Sequence, residues 1–324
     1  MKLRRLSLDE LSEQAEAFDS AVEATAGIDH FCSASDWIIP AARSLMPARE
    51  SWIHTAEDCY WAFMEGQHPE GFSYLEPLEA MWALACPTLG ADNEALVEGL
   101  EHLCEMPGAS WKIMALPGLG AGHPLLSAVV SRFADRWELG LGQSAVRLLI
   151  DLDGIDEFLA RRSKHFRRSL QRSLRDAAQA AIVVEDASHS SAADLIQRIM
   201  AVEARGWKGQ QGVGITEGAM HDFYKLMLPR LSQRGAVRVL FARQGERDVA
   251  YIFGGLRLEG YRGLQFSFDE EYRAYGLGNL LQYEQITRLC SEGVKTYDLG
   301  MHMEYKLRWA DRQRETLTLL LLRP

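Results

Sequence analysis

Apolar positions recur along this chain with the period of helices in some stretches and that of strands in others. Between residues 8 and 24 they return every three or four positions, which predicts an amphipathic helix. Ser51–Thr55 and Cys59–Met64 predict paired strands around an acidic turn. Asn93–Glu105 predicts a second helix, capped near Asp92. The first half therefore mixes helices with short strands.

The second half has a more regular order of elements. They are a strand over 145–151, a basic helix over 164–178, a strand over 181–185, helices over 192–205 and 218–234, strands over 237–242, 249–258 and 261–268, a helix ending at residue 291 and strands over 294–299 and 315–322. We place a domain boundary near the first of these strands and predict two domains, 1–147 and 148–324. The predicted fold class is α/β (α+β), with mixed sheets flanked by helices and the ligand beyond the carboxyl ends of the strands.

A short charged loop followed by glycines joins the strand ending at Phe268 to the next helix. It contains Arg273-x-x-Gly276-x-Gly278, and Leu277 and Asn279 complete the expected first turn. Glycine lets a ligand approach the backbone, and the first N–H groups of a helix have no partner inside the helix. Together with the positive end of the helix dipole, these donors favour a pyrophosphate. The pattern therefore predicts a phosphate-bearing cofactor held by backbone amides.

Composition narrows the classes of protein. The chain has 324 residues, 47% of them hydrophobic and 25% charged, which is typical of a globular protein without a membrane span. Five scattered cysteines show no metal-binding or disulfide spacing, and the first residues lack the apolar core of a secretion signal, so we expect no metal and a cytoplasmic location. The net charge of −10 argues against a non-specific nucleic-acid binder.

Several motifs of the second half, taken in order, resemble a known family. They are Arg167-Arg-Ser-Leu-Gln-Arg172, Glu203-x-x-Gly-Trp-Lys-Gly209, Phe268-Asp269, the glycine loop, Gly293-x-x-x-Tyr-Asp298 and Glu304-Tyr-Lys-x-x-Trp309. This series resembles the acyl-CoA-binding core of the GNAT acyltransferases, in particular the CelD subgroup associated with cellulose and exopolysaccharide clusters, which is related to the FemAB transferases. The first domain resembles that subgroup only in pattern, as a degenerate second GNAT-like lobe.

The resemblance implies acetyl-CoA or another acyl-CoA as co-substrate. Its pyrophosphate would lie on Arg273 and the glycine loop, and its pantetheine arm beside Gln265, Phe266, Ser267 and Phe268. Tyr305, which follows the strand 294–299, would protonate the departing thiolate. Tyr275 departs from the family pattern, because many GNAT members have small residues ahead of the glycines.

The remaining candidates each have an alternative structural role. Asp298 ends a strand and would orient an amine, serve as a base or cap the next segment. Lys306 would hold an acceptor carboxylate or phosphate, stabilise an oxyanion, or pair with a surface acid. His302 is a base at neutral pH or incidental.

A second group of candidates lies between two predicted helices. Glu203 would recognise an amine, and Trp207 and Lys208 would form an acceptor wall, although the seam between the domains is the preferred place for Trp207. Asp269 would contact the substrate or organise the loop ahead of the glycines.

We expect an acyl-CoA-dependent N- or O-acyltransferase that acts by direct attack on a small-molecule or saccharide acceptor. One alternative is a FemAB-type transfer from aminoacyl-tRNA, for which the dense basic run over 161–175 is the relevant feature; a solvated helix face explains the same run. The other alternative is a non-catalytic scaffold in a biosynthetic pathway.

Overall fold

The computed structural model describes residues 1–206, 209 and 214–324, which form two compact units. Unit 1 comprises residues 1–146 and 315–324, and unit 2 comprises residues 147–314. Both are mixed α/β structures with a mixed sheet flanked by helices, which confirms the predicted fold class.

Unit 1 begins with a strand and four helices. They are β1 (Arg4–Leu6), α1 (Leu8–Glu13), α2 (Ala15–Ala24), α3 (His30–Ser33) and α4 (Ser35–Leu45). The predicted helix over 8–24 is interrupted at Gln14, so two short helices replace it. The buried residues of α2 include Phe18 and Val22, as their periodicity predicts.

The rest of unit 1 is built on strands. They are β2 (Ser51–Ala56), β3 (Cys59–Gln67), β4 (Ser73–Pro77), β5 (Thr88–Leu89), then α5 (Asn93–Glu105), β6 (Ile113–Leu119), α6 (Pro124–Phe133) and β7 (Glu138–Leu141). β2, β3 and β4 form an antiparallel meander, and β6 returns parallel to β4 after the crossover helix α5. Asp92 caps α5 by accepting hydrogen bonds from the N–H groups of Glu94 and Ala95, as predicted.

Unit 2 opens with β8 (Ala145–Asp151), whose first two residues belong to unit 1. The elements that follow are α7 (Ile155–Ala160), α8 (Lys164–Gln179), β9 (Ile182–Asp186), α9 (Ala192–Glu203), α10 (Gly218–Gln233), β10 (Val237–Gln244), β11 (Arg247–Arg257), β12 (Gly260–Phe268), a 3₁₀ helix (Glu270–Tyr275), α11 (Leu277–Ser291), β13 (Thr296–Met301) and α12 (Glu304–Leu307). The last strand, β14 (Arg312–Leu322), ends in unit 1, where it pairs with β6 and β7.

The sheet of unit 2 has the order β8-β13-β12-β11-β10-β9. All neighbours are antiparallel except β12 and β13, which are parallel and connected through α11. Each unit therefore contains a three-stranded meander, a crossover helix and a parallel return strand. α8 and α11 pack on this sheet, and a cluster including Leu240, Ala250 and Leu281 is buried between strands and helix.

Among the described residues no helix combines the length and the apolar character needed to cross a bilayer. The predicted domains, including the degenerate GNAT-like character of the first, stay a prediction.

Candidate active site

The parallel strands β12 and β13 pair over only three residues. Gly260, Tyr261 and Arg262 lie opposite Thr296, Tyr297 and Asp298, and within the described part of the chain the register continues no further. β12 nevertheless runs on to Phe268, paired on its other side with β11. The two strands thus separate at Gly263 and leave a slot along the free edge of β12.

Tyr297 lies where the strands separate. A Cβ on Gly263 would come within 2.7 Å of the Tyr297 ring, so the absence of a side chain at Gly263 makes room for the ring. The Tyr297 hydroxyl donates a hydrogen bond to Gln282 Oε1 on α11 at 3.2 Å. Burial raises the pKa of Tyr297, which keeps the hydroxyl protonated.

The four residues predicted to follow the pantetheine arm alternate between the two faces of β12. Phe266 and Phe268 pack with the α11 side of the sheet. Gln265 faces the other way and donates a hydrogen bond to the Tyr224 hydroxyl of α10 at 3.0 Å. Ser267 is buried, and its hydroxyl has no hydrogen-bond partner among the residues described.

The first turn of α11 begins at the end of this slot. Gly276 has a φ of +64° and precedes Leu277 directly. No side chain of the described residues caps this helix end, whereas the carboxylate of Asp92 occupies the same position of α5 in unit 1. The N–H groups of Leu277 and Gly278 therefore remain available to an anion, whereas that of Asn279 donates to the Gly276 carbonyl at 2.9 Å.

Two side-chain contacts explain why both positions are glycine. A Cβ on Gly276 would collide with Ser173 of α8, and a Cβ on Gly278 would lie 3.0 Å from the Phe266 ring. The loop is thus packed tightly on both sides, and the backbone is the surface that it can offer to a ligand.

Asn279 links the first turn of α11 to its surroundings. Its Nδ2 donates to Ser173 Oγ at 3.0 Å, and its Oδ1 accepts a hydrogen bond from Arg308 Nη2 at 2.8 Å. A guanidinium group is thereby held beside the helix end. Arg273 instead pairs with Glu270 at 2.9 Å, and 69% of its side chain is exposed.

Asp269 holds the loop that precedes α11. Its carboxylate is buried, pairs with Arg205 at 2.7 Å and with Arg247 at 2.5 Å, and accepts a hydrogen bond from the N–H group of Glu271. These bonds lower the pKa of Asp269 although its burial acts in the opposite direction. This environment matches the role of organising the loop.

Two arginines converge on Asp298 in β13. Arg147 Nη1 and Arg262 Nη1 lie 2.5 and 2.9 Å from Asp298 Oδ2, and the N–H group of Gly300 donates to Oδ1 at 2.7 Å. Both carboxylate oxygens are therefore engaged, and both arginines are buried.

Lys306 and Tyr305 follow β13 on the short helix α12. The ammonium of Lys306 donates to the Met301 carbonyl at 3.2 Å and lies 5.8 Å from the centre of the Tyr305 ring. Partial desolvation raises the pKa of Tyr305, so its hydroxyl carries a proton at neutral pH. His302 is exposed at the end of the same strand.

Glu203 lies on the other face of β12, at the end of α9. It is fully buried, and its Oε2 accepts a hydrogen bond from the Tyr251 hydroxyl at 2.9 Å. Its Oε1 has no hydrogen-bond partner in the described part of the chain. Trp207 and Lys208, the other predicted acceptor contacts, lie outside the described residues.

The structure thus brings together β12, the first turn of α11 and the segment after β13. Arg273 and Asp269 do not join this group, because each is ion-paired within the loop or with a neighbouring element. Sequence reasoning missed Arg147, Arg262, Ser173 and Arg308. Arg147 carried a signal, since an arginine inside the apolar run Ala145-Val-Arg-Leu-Leu-Ile150 must be paired when it is buried. The other three are recognisable only by their contacts.

Tyr275 bears on the scaffold alternative, which would be favoured if this or a nearby side chain filled the slot. Its ring instead packs against the apolar cluster of Leu240, Ala250 and Leu281, and its centre lies 5.9 Å from that of the Tyr272 ring. No group of three or more acidic, histidine or cysteine side chains suited to a metal occurs among the described residues.

The comparisons with known proteins agree with this geometry. Residues 164–307 match the family model of the acetyltransferase (GNAT) domain. This stretch contains β12, α11, β13 and α12, so most of the candidate site lies within the residues that are similar to this family. A search of curated protein sequences gives no match.

Solved structures share the fold at low sequence identity. A conserved protein of unknown function from Bacteroides thetaiotaomicron has a TM-score of 0.66 at 12% identity, over 99% of both chains. FemX has a TM-score of 0.66 at 9% identity, over 98% of this chain and 97% of its own. L-PGS from Bacillus licheniformis has a TM-score of 0.60 at 12% identity, over 96% and 91%. Such likenesses show the fold alone.

Proposed function

We propose that unit 2 binds acetyl-CoA or another acyl-CoA and transfers its acyl group to an amine or hydroxyl of a small molecule or saccharide. The observation that carries this proposal is the slot between β12 and β13, which leads to the uncapped end of α11. The free edge of β12 suits the amide groups of a pantetheine arm. The N–H groups of Leu277 and Gly278 and the side chain of Asn279, with Arg308 beside it, suit a pyrophosphate.

Separate residues of unit 2 would then carry out the parts of the acyl transfer. The thioester supplies an activated acyl group when it is bound. The Lys306 ammonium would stabilise negative charge on the carbonyl oxygen or hold an acidic acceptor, and Tyr305 would give its proton to the leaving sulfur. Asp298, whose oxygens are both engaged, would position Arg147 and Arg262 rather than take a proton. Glu203 would contact an acceptor amine, and His302 stands near as a candidate base.

Attack would be direct, with no covalent enzyme intermediate. Cys290, the one cysteine of unit 2, lies within α11, and burial raises the pKa of its thiol, which disfavours a nucleophilic thiolate. Positioning of the two reactants would therefore supply most of the rate enhancement. Membership of the CelD subgroup, with a saccharide acceptor, is part of this proposal.

The test is a calorimetric titration with acetyl-CoA of the wild type and of two matched variants. Asn279→Asp keeps an acceptor for Arg308, and an acidic residue is favourable in the first turn of a helix, so the variant should fold. Its charge would oppose a pyrophosphate, and we expect affinity to fall about tenfold or more. Asn93→Asp makes the same change in the first turn of α5 and should bind like the wild type.

Failure of the folded wild type to bind acetyl-CoA would overturn the proposal. Equal affinities of the wild type and Asn279→Asp for acetyl-CoA would show that the pyrophosphate does not bind at the first turn of α11.

The second candidate function is transfer from an aminoacyl-tRNA. It is favoured by the similarity to FemX over nearly the whole of both chains. The test is to incubate the protein with the same amine acceptors and either aminoacylated tRNA or acetyl-CoA. The mass of the product then shows which donor supplied the transferred group. Transfer from tRNA alone would replace the first proposal with the second.

A further inference from the structure

The basic run over 161–175 divides into two sets of cations with different surroundings. Arg161 and Arg162 precede α8 and pair with Asp311 at 2.9 and 2.6 Å, and Arg167 donates to the carbonyls of Leu159 and Arg162. These three arginines fasten the start of α8 to its own unit. Their charge therefore has an explanation within the fold.

The second set is exposed and lies on one line. Lys164, Arg168, Arg172 and Arg175 are separated by four, four and three residues, the spacing that places side chains on one face of a helix. With a rise of about 1.5 Å per residue, the line is about 16 Å long. Its one acidic neighbour on the helix is Asp176, whose Oδ2 is 3.9 Å from Arg172 Nε. We call these four residues the cation stripe.

The opposite face of α8 is fixed in the core. Phe166, Leu170, Ser173 and Ala177 are buried, and Ser173 contacts Asn279 as described above. The helix is thus half embedded and can present only the cation stripe outward.

The composition of the exposed face also matters. Single-stranded nucleic acids are held by aromatic side chains interleaved with cations. The phenyl ring of α8, on Phe166, is buried, so the one ring exposed beside the cations on this helix is the imidazole of His165. A line of cations with a single imidazole beside it fits a flat anionic surface better than a single strand, which needs several stacking rings.

We infer that the cation stripe of α8 docks unit 2 on a membrane surface that contains anionic phospholipid. Phosphate headgroups attract lysine and arginine side chains over about a Debye length, which is about 8 Å at physiological ionic strength. Acids of the chain that lie farther than this distance from the headgroups are screened. The docking is peripheral and independent of the acyl-CoA proposal.

Co-sedimentation with phosphatidylglycerol–phosphatidylcholine vesicles, and with phosphatidylcholine vesicles alone, tests the inference. The stripe variant is Lys164→Gln/Arg168→Gln/Arg175→Gln, which leaves the Arg172–Asp176 pair intact. The matched control is Lys2→Gln/Lys225→Gln/Lys295→Gln, because these three lysines are also exposed and their loss changes the net charge equally. Melting temperatures check that both variants fold.

We expect the wild type and the control to bind anionic vesicles alone, with binding that weakens as salt is added. The stripe variant should bind about a hundredfold less, since each cation near such a surface contributes close to a factor of five. Absence of wild-type binding at low salt, or equal losses in both variants, would overturn the inference. Stripe-dependent gel shifts of an RNA duplex without vesicle binding would also overturn it, in favour of RNA.

Discussion

Arg147 and Asp298 form a buried ion pair in unit 2, in which Nη1 and Oδ2 are 2.5 Å apart although 151 residues separate them in sequence. Arg262 completes the group from the neighbouring strand. Loss of one member leaves a buried charge with fewer partners, which is costly in a low-dielectric interior. The group therefore fixes β8, β12 and β13 relative to one another within unit 2.

The first prediction concerns this group. Arg147→Met should lower the free energy of unfolding in urea by about 3 kcal/mol. Arg312→Gln is the matched control, because the Arg312–Asp151 pair is partly exposed and should contribute less than about 1 kcal/mol.

Asp298→Asn separates a structural from a catalytic role for the carboxylate. We expect it to lower the free energy of unfolding while acyl transfer by the folded fraction falls less than about tenfold. A large loss of kcat at unchanged stability would identify Asp298 as the base instead.

The second prediction concerns Gly276. An alanine there must adopt a positive φ and also displaces Ser173, so Gly276→Ala should cost about 3 kcal/mol. Gly245→Ala has a similar φ of +58°, but the described structure places no atom within 4 Å of its new Cβ, so it should cost about 1 kcal/mol. Urea unfolding of both variants measures the contribution of the Ser173 contact. Equal losses of unfolding free energy in the two variants would show that α8 moves away from the new Cβ without a measurable cost.

The third prediction concerns Tyr305 as a proton donor. Tyr305→Phe should lower kcat about a hundredfold or more while acyl-CoA affinity stays unchanged. Tyr283→Phe removes the same hydroxyl from a partly buried ring of α11 and should leave kcat unaltered. Partial desolvation raises the pKa of Tyr305, so the donor form is present around neutral pH and the wild-type rate should show no loss from this group there.

The fourth prediction concerns His54 in unit 1. Burial is the main cause that lowers the pKa of its imidazole from 6.5 to about 4, with the charge of Arg5 adding to the effect. The unfolded chain therefore binds a proton below pH 6.5 that the folded chain accepts only near pH 4. Stability is lost as the pH falls through this window, by about 3 kcal/mol in total.

Urea unfolding between pH 7.5 and 4 measures that loss. His54→Gln should flatten the dependence, whereas His68→Gln, at an exposed turn, should follow the wild type. Parallel curves for wild type and His54→Gln would contradict the assignment.

Local patterns were sufficient to predict most elements of unit 2. The strand 145–151 and the helix that follows Gly276 depend on apolar periodicity and on glycine chemistry, which act over a few residues. The segment of α3 and α4 was not predicted, because α4 is buried over most of its length and its polar residues Ser35 and Asp36 obscure the period. Such a helix takes its stability from packing rather than from a visible amphipathic face.

The site was predicted less completely. The glycine loop could be found because a bare backbone at a helix start has a direct sequence signature. The ion pairs of Asp298 and Asp269 could not be found in this way. Their arginines lie on other strands or helices, so the neighbouring sequence does not indicate them. Asp298 and Asp269 look like free acids in the sequence, but both are ion-paired with arginines in the structure.

The sequence by itself determined the order of most helices and strands of unit 2, the glycine start of α11 and the amphipathic character of α8, because each depends on neighbouring residues. Only the tertiary structure decided that β12 and β13 separate after Arg262, that Asp298 is held by two arginines, and which four cations of the basic run form the exposed stripe of α8. These features depend on contacts between residues far apart in the chain. Such contacts form when elements pack, and packing selects the partners by shape and charge rather than by position in the sequence.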